Sequence, residues 1–202
     1  MNRIKTLLLM IIAVILFSGC SVLMSKIYGV HEISYFDEDK YANSISKIKK
    51  QIHFVSLISD STQYKQIINS GRNAQQRHLL GQPVQILYFE KNILKSYHNN
   101  CFAKGKFTRI DWNTDNRFSC FLPATAVETD TIPIKLYDYA KIYNEIKSDS
   151  SKNYTIIIFW TFLLEKTSQS AINTTIENIY KFDKINDVDF YLINTDKYFV
   201  SI

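Results

Sequence analysis

The sequence has few residues that interrupt regular structure, with only 5 glycines and 3 prolines in 202 residues. No segment is of low complexity and no repeat of fixed period is found, which disfavours solenoids and long disordered tails. Hydrophobic residues make up 46% of the chain and charged residues 21%, a globular balance. A chain of this length holds one well-filled domain, or two very small ones.

Motifs of common enzymes are also missing. There is no glycine-rich phosphate loop, G-x-S-x-G elbow, H-E-x-x-H pair or EF-hand loop. The side chains that could bind zinc do not follow any compact ligand spacing; they are His78, His98, Cys101 and Cys120. Four scattered carboxylates are more simply turn or surface residues than an acid/base pair; they are Asp60, Glu90, Asp111 and Asp115. We therefore expect no metal, no cofactor and no catalytic acid/base pair.

The N-terminus has the order of a secretory signal. Arg3 and Lys5 are followed by an unbroken apolar run, Leu7–Phe17, and then by Ser18-Gly19-Cys20. Small residues directly before a cysteine resemble the lipobox of bacterial lipoproteins. The resemblance implies that residues 1–19 are removed and that Cys20 becomes the lipidated first residue. An uncleaved membrane anchor is the alternative, since the charge-free stretch is long enough to span.

A lipidated Cys20 would anchor the chain to the membrane, because each buried CH₂ of the acyl chains contributes about 0.8 kcal/mol. No acidic residue follows Cys20 directly, which resembles the sorting signal for an outer membrane, with the protein facing the periplasm. Loss of Arg3 and Lys5 lowers the formal charge from +5 to +3. This weak, dispersed charge does not indicate nucleic acid binding.

The remaining chain predicts a lipidated tether at 20–35 and an α/β domain at 36–202. The patterns predict a helix carrying Tyr41, Ile45, Ile48 and Ile52, followed by a strand at 53–58. A second helix runs from Thr62 to Leu80 with a break at Gly71, and strands 84–90 and 93–98 form a hairpin. Two short strands at 106–112 and 117–122 and a helix at 136–147 follow. Residues 123–133 are the best linker, joining halves 36–122 and 134–202.

The clearest pattern lies between Tyr154 and Asp196. Thr155–Trp160 is apolar on both faces, as in a parallel strand covered on two sides. Isoleucines at helical spacing follow, namely Ile172, Ile176 and Ile179. Val188–Ile193 then forms a second buried strand, so this stretch predicts a βαβ unit.

This unit resembles the front half of a thioredoxin fold. Ile156–Thr161, with Trp160, matches the strand that leads into the family's W-A-x-W-C-x-x-C motif, and Asn194-Thr195-Asp196 matches the end of the next strand. The two cysteine positions fall on Leu164 and Thr167. The resemblance implies a thioredoxin-like mixed sheet with flanking helices, without dithiol exchange at this position.

The order of the pieces departs from the family, in which a helix, a cis-proline, two strands and a last helix follow the N-x-D segment. Here Val55–His98 resembles that missing part and precedes the βαβ unit. A permuted or split thioredoxin-like domain accounts for both pieces, with Pro83 as the candidate cis-proline. The alternative is a trans proline that starts a strand.

Cys101 and Cys120 are the remaining thiols, and they flank the hairpin predicted around Asn113. An oxidising compartment favours a disulfide between them. The alternative is a redox pair in which His98 lowers the pKa of the Cys101 thiol.

We therefore expect a membrane-anchored envelope lipoprotein with a redox-inactive thioredoxin-like domain that binds a protein or peptide without catalysis. A thiol-disulfide oxidoreductase using Cys101 and Cys120 is the alternative.

Overall fold

The computed structural model describes residues 29–106 and 109–202 as an α/β structure around a mixed five-stranded sheet. The strands are β1 (Val55–Ile58), β2 (Gln85–Glu90), β3 (Ile93–Asn99), β6 (Tyr154–Trp160) and β7 (Val188–Asn194), with a separate two-stranded ribbon of β4 (Lys104–Lys106) and β5 (Arg109–Asp111). The helices are α1 (Glu38–Lys49), α2 (Ser61–Asn69), α3 (Ala74–Leu80), α4 (Leu136–Ile142), α5 (Glu165–Lys181) and α6 (Asp196–Val200), with 3₁₀ turns at Thr114–Ser119 and Thr129–Thr131.

The sheet has the strand order β1-β7-β6-β2-β3. β1, β7 and β6 are parallel, whereas β2 runs antiparallel to β6 and forms a hairpin with β3. Because β6, α5 and β7 follow one another, the parallel pair is a βαβ unit. The carboxyl ends of the three parallel strands therefore meet at one edge of the sheet.

Two apolar layers cover the faces of the sheet. On one face α1 and α5 pack on the strands, and their buried residues are Ile45, Ile48, Ile172, Ile176 and Ile179. On the other face α2, α3 and α4 supply Tyr64, Ile67, Leu80, Leu136 and Tyr139. Successive residues of β6 alternate between the two layers, as a strand buried on both faces requires.

Local capping explains where the first helices begin. The carboxylate of Asp37 accepts a hydrogen bond from the main-chain N–H of Lys40, at 2.9 Å. Asp60 and Gln63 form a reciprocal capping box at the start of α2. The predicted break at Gly71 is confirmed, because Asn73 caps a separate helix, α3.

The predicted β2–β3 hairpin and the βαβ unit are confirmed to within two residues at each end. The helix predicted at 136–147 ends five residues earlier, at Ile142. The strand predicted at 117–122 is wrong, since this region is a 3₁₀ turn followed by irregular chain. Asp115 and Asn116, in the turn predicted before this strand, both have positive φ, at 57° and 56°, and the 3₁₀ turn continues to Ser119.

The segment 123–133, predicted as a linker, packs against the second apolar layer through Val127 and Ile132. Its main chain also reaches β3, where the N–H groups of Ala126 and Val127 donate to the carbonyl of Tyr97. Strands from both predicted halves share the one sheet. Within the described ranges, none of the helices has the length and apolarity that a bilayer crossing demands.

Candidate functional site

The candidate site lies at the carboxyl ends of β6 and β7, where parallel strands commonly present ligand-binding groups. Its centre is the loop Thr161–Leu164, called here the acceptor loop, which connects β6 to α5. The start of α6 lies beside it, because the N–H of Thr195 donates to the carbonyl of Trp160 at 3.0 Å.

A buried carboxyl group holds the acceptor loop in place. Asp196 is 1% exposed. Its Oδ1 accepts hydrogen bonds from the Thr161 hydroxyl, at 2.5 Å, and from the Phe162 N–H, at 2.8 Å. Its Oδ2 accepts from the Asn194 side-chain amide at 2.9 Å. The Asn194 amide oxygen in turn accepts from the Asp196 N–H at 3.0 Å, which closes a reciprocal pair.

A second hydroxyl fixes the loop from the side of the helix. Ser168 Oγ accepts from the Thr161 N–H at 3.1 Å and donates to the Thr161 carbonyl at 2.9 Å. The Thr161 hydroxyl is itself used, since it donates to Asp196 and accepts from the Leu163 N–H. These hydroxyls are structural, because hydrogen bonds within the protein hold them and no imidazole contacts them.

The residues predicted as a degenerate thioredoxin motif lie at the end of β6 and at the start of α5. Trp160 ends β6 and lies in the core, with its ring stacked on Tyr41 at 5.9 Å. Leu164 is the N-cap residue of α5, and Thr167 lies in its first turn with 2% exposure. The position next to the helix N-terminus that would stabilise a thiolate therefore holds no ionisable side chain.

The segment Gly29–Ile33, called here the strap, lies on the acceptor loop. The N–H of His31 donates to the carbonyl of Leu163 at 2.9 Å, and Val30 forms an isolated antiparallel bridge with Leu164. His31 Nε2 also lies 3.7 Å from a carboxylate oxygen of Glu165.

Glu165 is the charged residue at the rim of the loop, at the start of α5. Lys40 pairs with it at 2.8 Å and places its ammonium group 4.2 Å from the centre of the Phe162 ring. These groups are solvent-exposed, so they contribute little to stability. They place one acidic group, Glu165, and one basic group, Lys40, at the rim beside the apolar Phe162 ring.

The prediction of a cis-proline at Pro83 is wrong. Among the described residues the cis peptide bond joins Phe121 to Leu122, and the bond before Pro83 is trans. The trans orientation presents the Gln82 carbonyl to two buried donors, the Tyr64 hydroxyl at 2.8 Å and the Gln85 side-chain amide at 2.9 Å. Pro83 instead precedes β2, which matches the alternative reading.

The predicted disulfide is not formed in this structure, because Cys101 and Cys120 are both free thiols. Cys101 Sγ donates to the side-chain oxygen of Gln82 at 3.2 Å, and Cys120 Sγ donates to the Leu122 carbonyl, also at 3.2 Å. The pairing was predicted from a hairpin around Asn113, whereas the residues before Cys120 turn as a 3₁₀ helix.

The predicted activation of Cys101 by His98 is also not supported. His98 is 1% exposed, and its Nε2 shares a hydrogen bond with Ser96 Oγ at 3.0 Å. Burial, with a smaller effect from the Arg117 guanidinium, lowers the pKa of His98 from 6.5 to about 3, so the ring is neutral at pH 7. Burial raises the pKa of the Cys101 thiol, the opposite of what an attacking thiol needs.

Two features of the site were not predicted from the sequence. The Asn194-Thr195-Asp196 segment was noted as a strand end, but its hydrogen bonds to a loop some 35 residues away leave no local pattern. The residues of the strap were predicted to belong to the tether. Gly29 beside the aliphatic Val30 is the local feature that indicates a close main-chain contact there. The predicted lipidation residue, Cys20, lies outside the described residues.

Comparisons with protein-family models, with curated proteins and with solved structures each give no match. The observations that bear on function are therefore the topology of the sheet, the acceptor loop and the strap.

Proposed function

We propose that this chain is a redox-inactive, thioredoxin-like α/β domain that binds an extended peptide segment at the acceptor loop, and that a lipid on Cys20 anchors it to the bacterial outer membrane, facing the periplasm. The peptide would belong to an envelope protein. Nucleic acid is not a partner in this proposal, because the charge is small and dispersed.

The sheet supports a permuted form of the thioredoxin-like fold. Three parallel strands are followed in the sheet by an antiparallel hairpin, in the order β1-β7-β6-β2-β3. The βαβ unit and the hairpin are the two pieces that the resemblance implies, and they are neighbours through β6 and β2. The hairpin precedes the βαβ unit along the chain, which is the order expected for a permutation.

The observation that carries the proposal is Leu164 at the N-cap of α5, with Thr167 in the first turn. A dithiol enzyme needs sulfur at this point, because the helix N-terminus stabilises the thiolate there. A leucine and a buried threonine keep the shape of the site without its redox chemistry. The Leu163 carbonyl accepts a hydrogen bond from the His31 N–H of the same chain, and it could accept one from an extended peptide in the same way.

The binding test is solution NMR of the full chain with a pool of random dodecapeptides, from which individual binders are then isolated. We expect chemical-shift changes at Phe162–Leu164 and Thr195–Lys197. The loop Gln51–His53, at the opposite ends of the parallel strands, serves as the internal control. Changes confined to that loop, or none anywhere, would contradict the proposal.

Reductase activity distinguishes the alternative, an oxidoreductase using Cys101 and Cys120. We expect no insulin reduction above buffer, and slow alkylation of Cys101 at neutral pH, because burial of the sulfur reduces its thiolate fraction. Turnover that is lost in Cys101→Ser would establish the redox function and refute the peptide-binding proposal.

A further inference from the structure

We infer that the acceptor loop selects an extended segment with glycine at its first position, and that the chain's own strap occupies this site until a partner displaces it. The inference rests on the proposed function and adds both the kind of peptide and its control. It follows from the way in which Gly29–Ile33 is seated.

The contacts of the strap have the form of peptide recognition by strand addition. An extended segment pairs antiparallel with the loop through the Val30–Leu164 bridge, and a main-chain N–H reaches the Leu163 carbonyl at 2.9 Å. The Val30 side chain contributes less, because Val30 is 44% exposed. Recognition of this kind reads the main chain first and tolerates different side chains.

The first position is the exception, because it excludes a side chain. Gly29 has φ +62°, and a Cβ built there would lie 2.7 Å from the Lys166 Cγ and 3.0 Å from the Lys166 N. Lys166 belongs to the first turn of α5, so its main chain cannot move away without breaking the helix start. A competing segment must therefore also place glycine at this point.

The third position lies next to a carboxylate. His31 Nε2 is 3.7 Å from Glu165, which also pairs with Lys40. An acidic residue at this position would lie near Glu165 and would be disfavoured by like charge. The preferred ligand is thus a segment with glycine at the first position, any side chain at the second and a neutral or basic residue at the third.

The strap is held weakly enough to be displaced. Among the described residues, it is attached by the hydrogen bond from the His31 N–H to Leu163, by the bridge and by the exposed His31–Glu165 contact, and of residues 30–35 only Ile33 is partly buried. A ligand that competes with a docked segment can bind only while the site is open. Its apparent affinity is therefore the intrinsic affinity multiplied by the fraction of time that the site is open. With the proposed anchor on Cys20, release of the strap, residues 29–33, would also lengthen the tether by at most about 18 Å.

The test uses the full chain and a fluorescent peptide with the sequence of residues 29–37, followed by anisotropy. His31→Pro removes the donor to the Leu163 carbonyl and should release the strap. We expect the peptide to bind His31→Pro about 10- to 100-fold more tightly than wild type, as for a site open 1–10% of the time. Gly29→Val is a second release variant, for use if proline disturbs folding.

His31→Ala is the matched control, because it keeps the N–H and removes only the imidazole. It should change the affinity at most about fivefold, since exposed ion pairs contribute little. A peptide with alanine in place of its first glycine should bind His31→Pro at least about tenfold more weakly, because its Cβ would strike Lys166.

The outcomes separate this inference from the proposed function. If wild type and both release variants bind the peptide equally, while library peptides still shift the Phe162–Leu164 signals, the strap is not the occupant and the binding function stands. If neither the strap peptide nor any library peptide reaches the acceptor loop in any variant, the binding function itself is refuted, and the inference with it.

Discussion

Acidification from pH 7.5 to pH 4.5 should destabilise the domain through His98 by about 2.5 kcal/mol. The neutral ring is buried, and its pKa falls from 6.5 to about 3 in the folded protein. Between these pH values the unfolded chain binds a proton at His98 and the folded chain does not. The free energy of unfolding therefore rises with pH across this window. The stabilising contribution of the neutral His98 ring is fully present above its unfolded-state pKa of 6.5.

The measurement is urea denaturation at several pH values, with His98→Gln as the test variant. Glutamine places an amide near the position of Nε2, so it can keep the hydrogen bond to Ser96, and it does not titrate. In this variant the free energy of unfolding should depend less on pH, because the part due to His98 is mostly lost. The part of the pH dependence that comes from the carboxylates should remain. His53→Gln is the control for a histidine-to-glutamine change at an exposed position. An identical profile for wild type and His98→Gln would contradict the assignment.

The parts of the fold that could be predicted are those whose signal is local. Ile156, Ile157 and Ile158 alternate between two apolar layers, so an uninterrupted apolar run correctly indicated a strand buried on both faces. The spacing of Ile172, Ile176 and Ile179 likewise fixed the buried face of α5. Each pattern depends only on the period of its own element.

The region before Cys120 was mispredicted because its geometry is set by two residues rather than by a period. Asp115 and Asn116, between Thr114 and Arg117, adopt consecutive left-handed conformations, and the chain continues from them to Ser119 as a 3₁₀ turn. The expected strand and the expected disulfide both assumed that the chain leaves this turn as an extended strand. Phe118 is nevertheless buried, so the pattern located a core residue but assigned it to the wrong element.

At the candidate site, the sequence predicted the start of the helix but not the hydrogen bonds or the strap. The βαβ pattern predicted a helix start near Leu164 and Thr167, and α5 begins at Glu165. The strap contacts this point from more than 130 residues away in sequence, through main-chain groups that every residue carries. Pairing of that kind leaves no composition signal beyond the glycine at position 29.

Exchanging the two side chains at the base of the acceptor loop should restore what each single change removes. In Asp196→Asn the amide oxygen must face Thr161 and Phe162, so the amide nitrogen faces the nitrogen of Asn194. Rotating Asn194 only moves the conflict, because its nitrogen then faces the N–H of residue 196. A buried donor is left unpaired in either case, at a cost of about 2 kcal/mol.

Asn194→Asp alone should be destabilised by a similar amount or more, because two carboxyl groups then share a buried site. The double variant Asn194→Asp with Asp196→Asn should recover to within about 1 kcal/mol of wild type, since the new carboxyl group accepts from both the amide nitrogen and the N–H of residue 196.

Asp60→Asn, at the same end of the sheet, is the control and should cost below about 0.5 kcal/mol, because asparagine caps helices as well as aspartate does. Thermal and urea denaturation give the four corners of the cycle. Because each single variant creates a polar conflict beneath the acceptor loop, it should also weaken peptide binding there, and the exchange should restore binding. Additive losses in the double variant would show that the two side chains act independently and that the loop is held by other contacts.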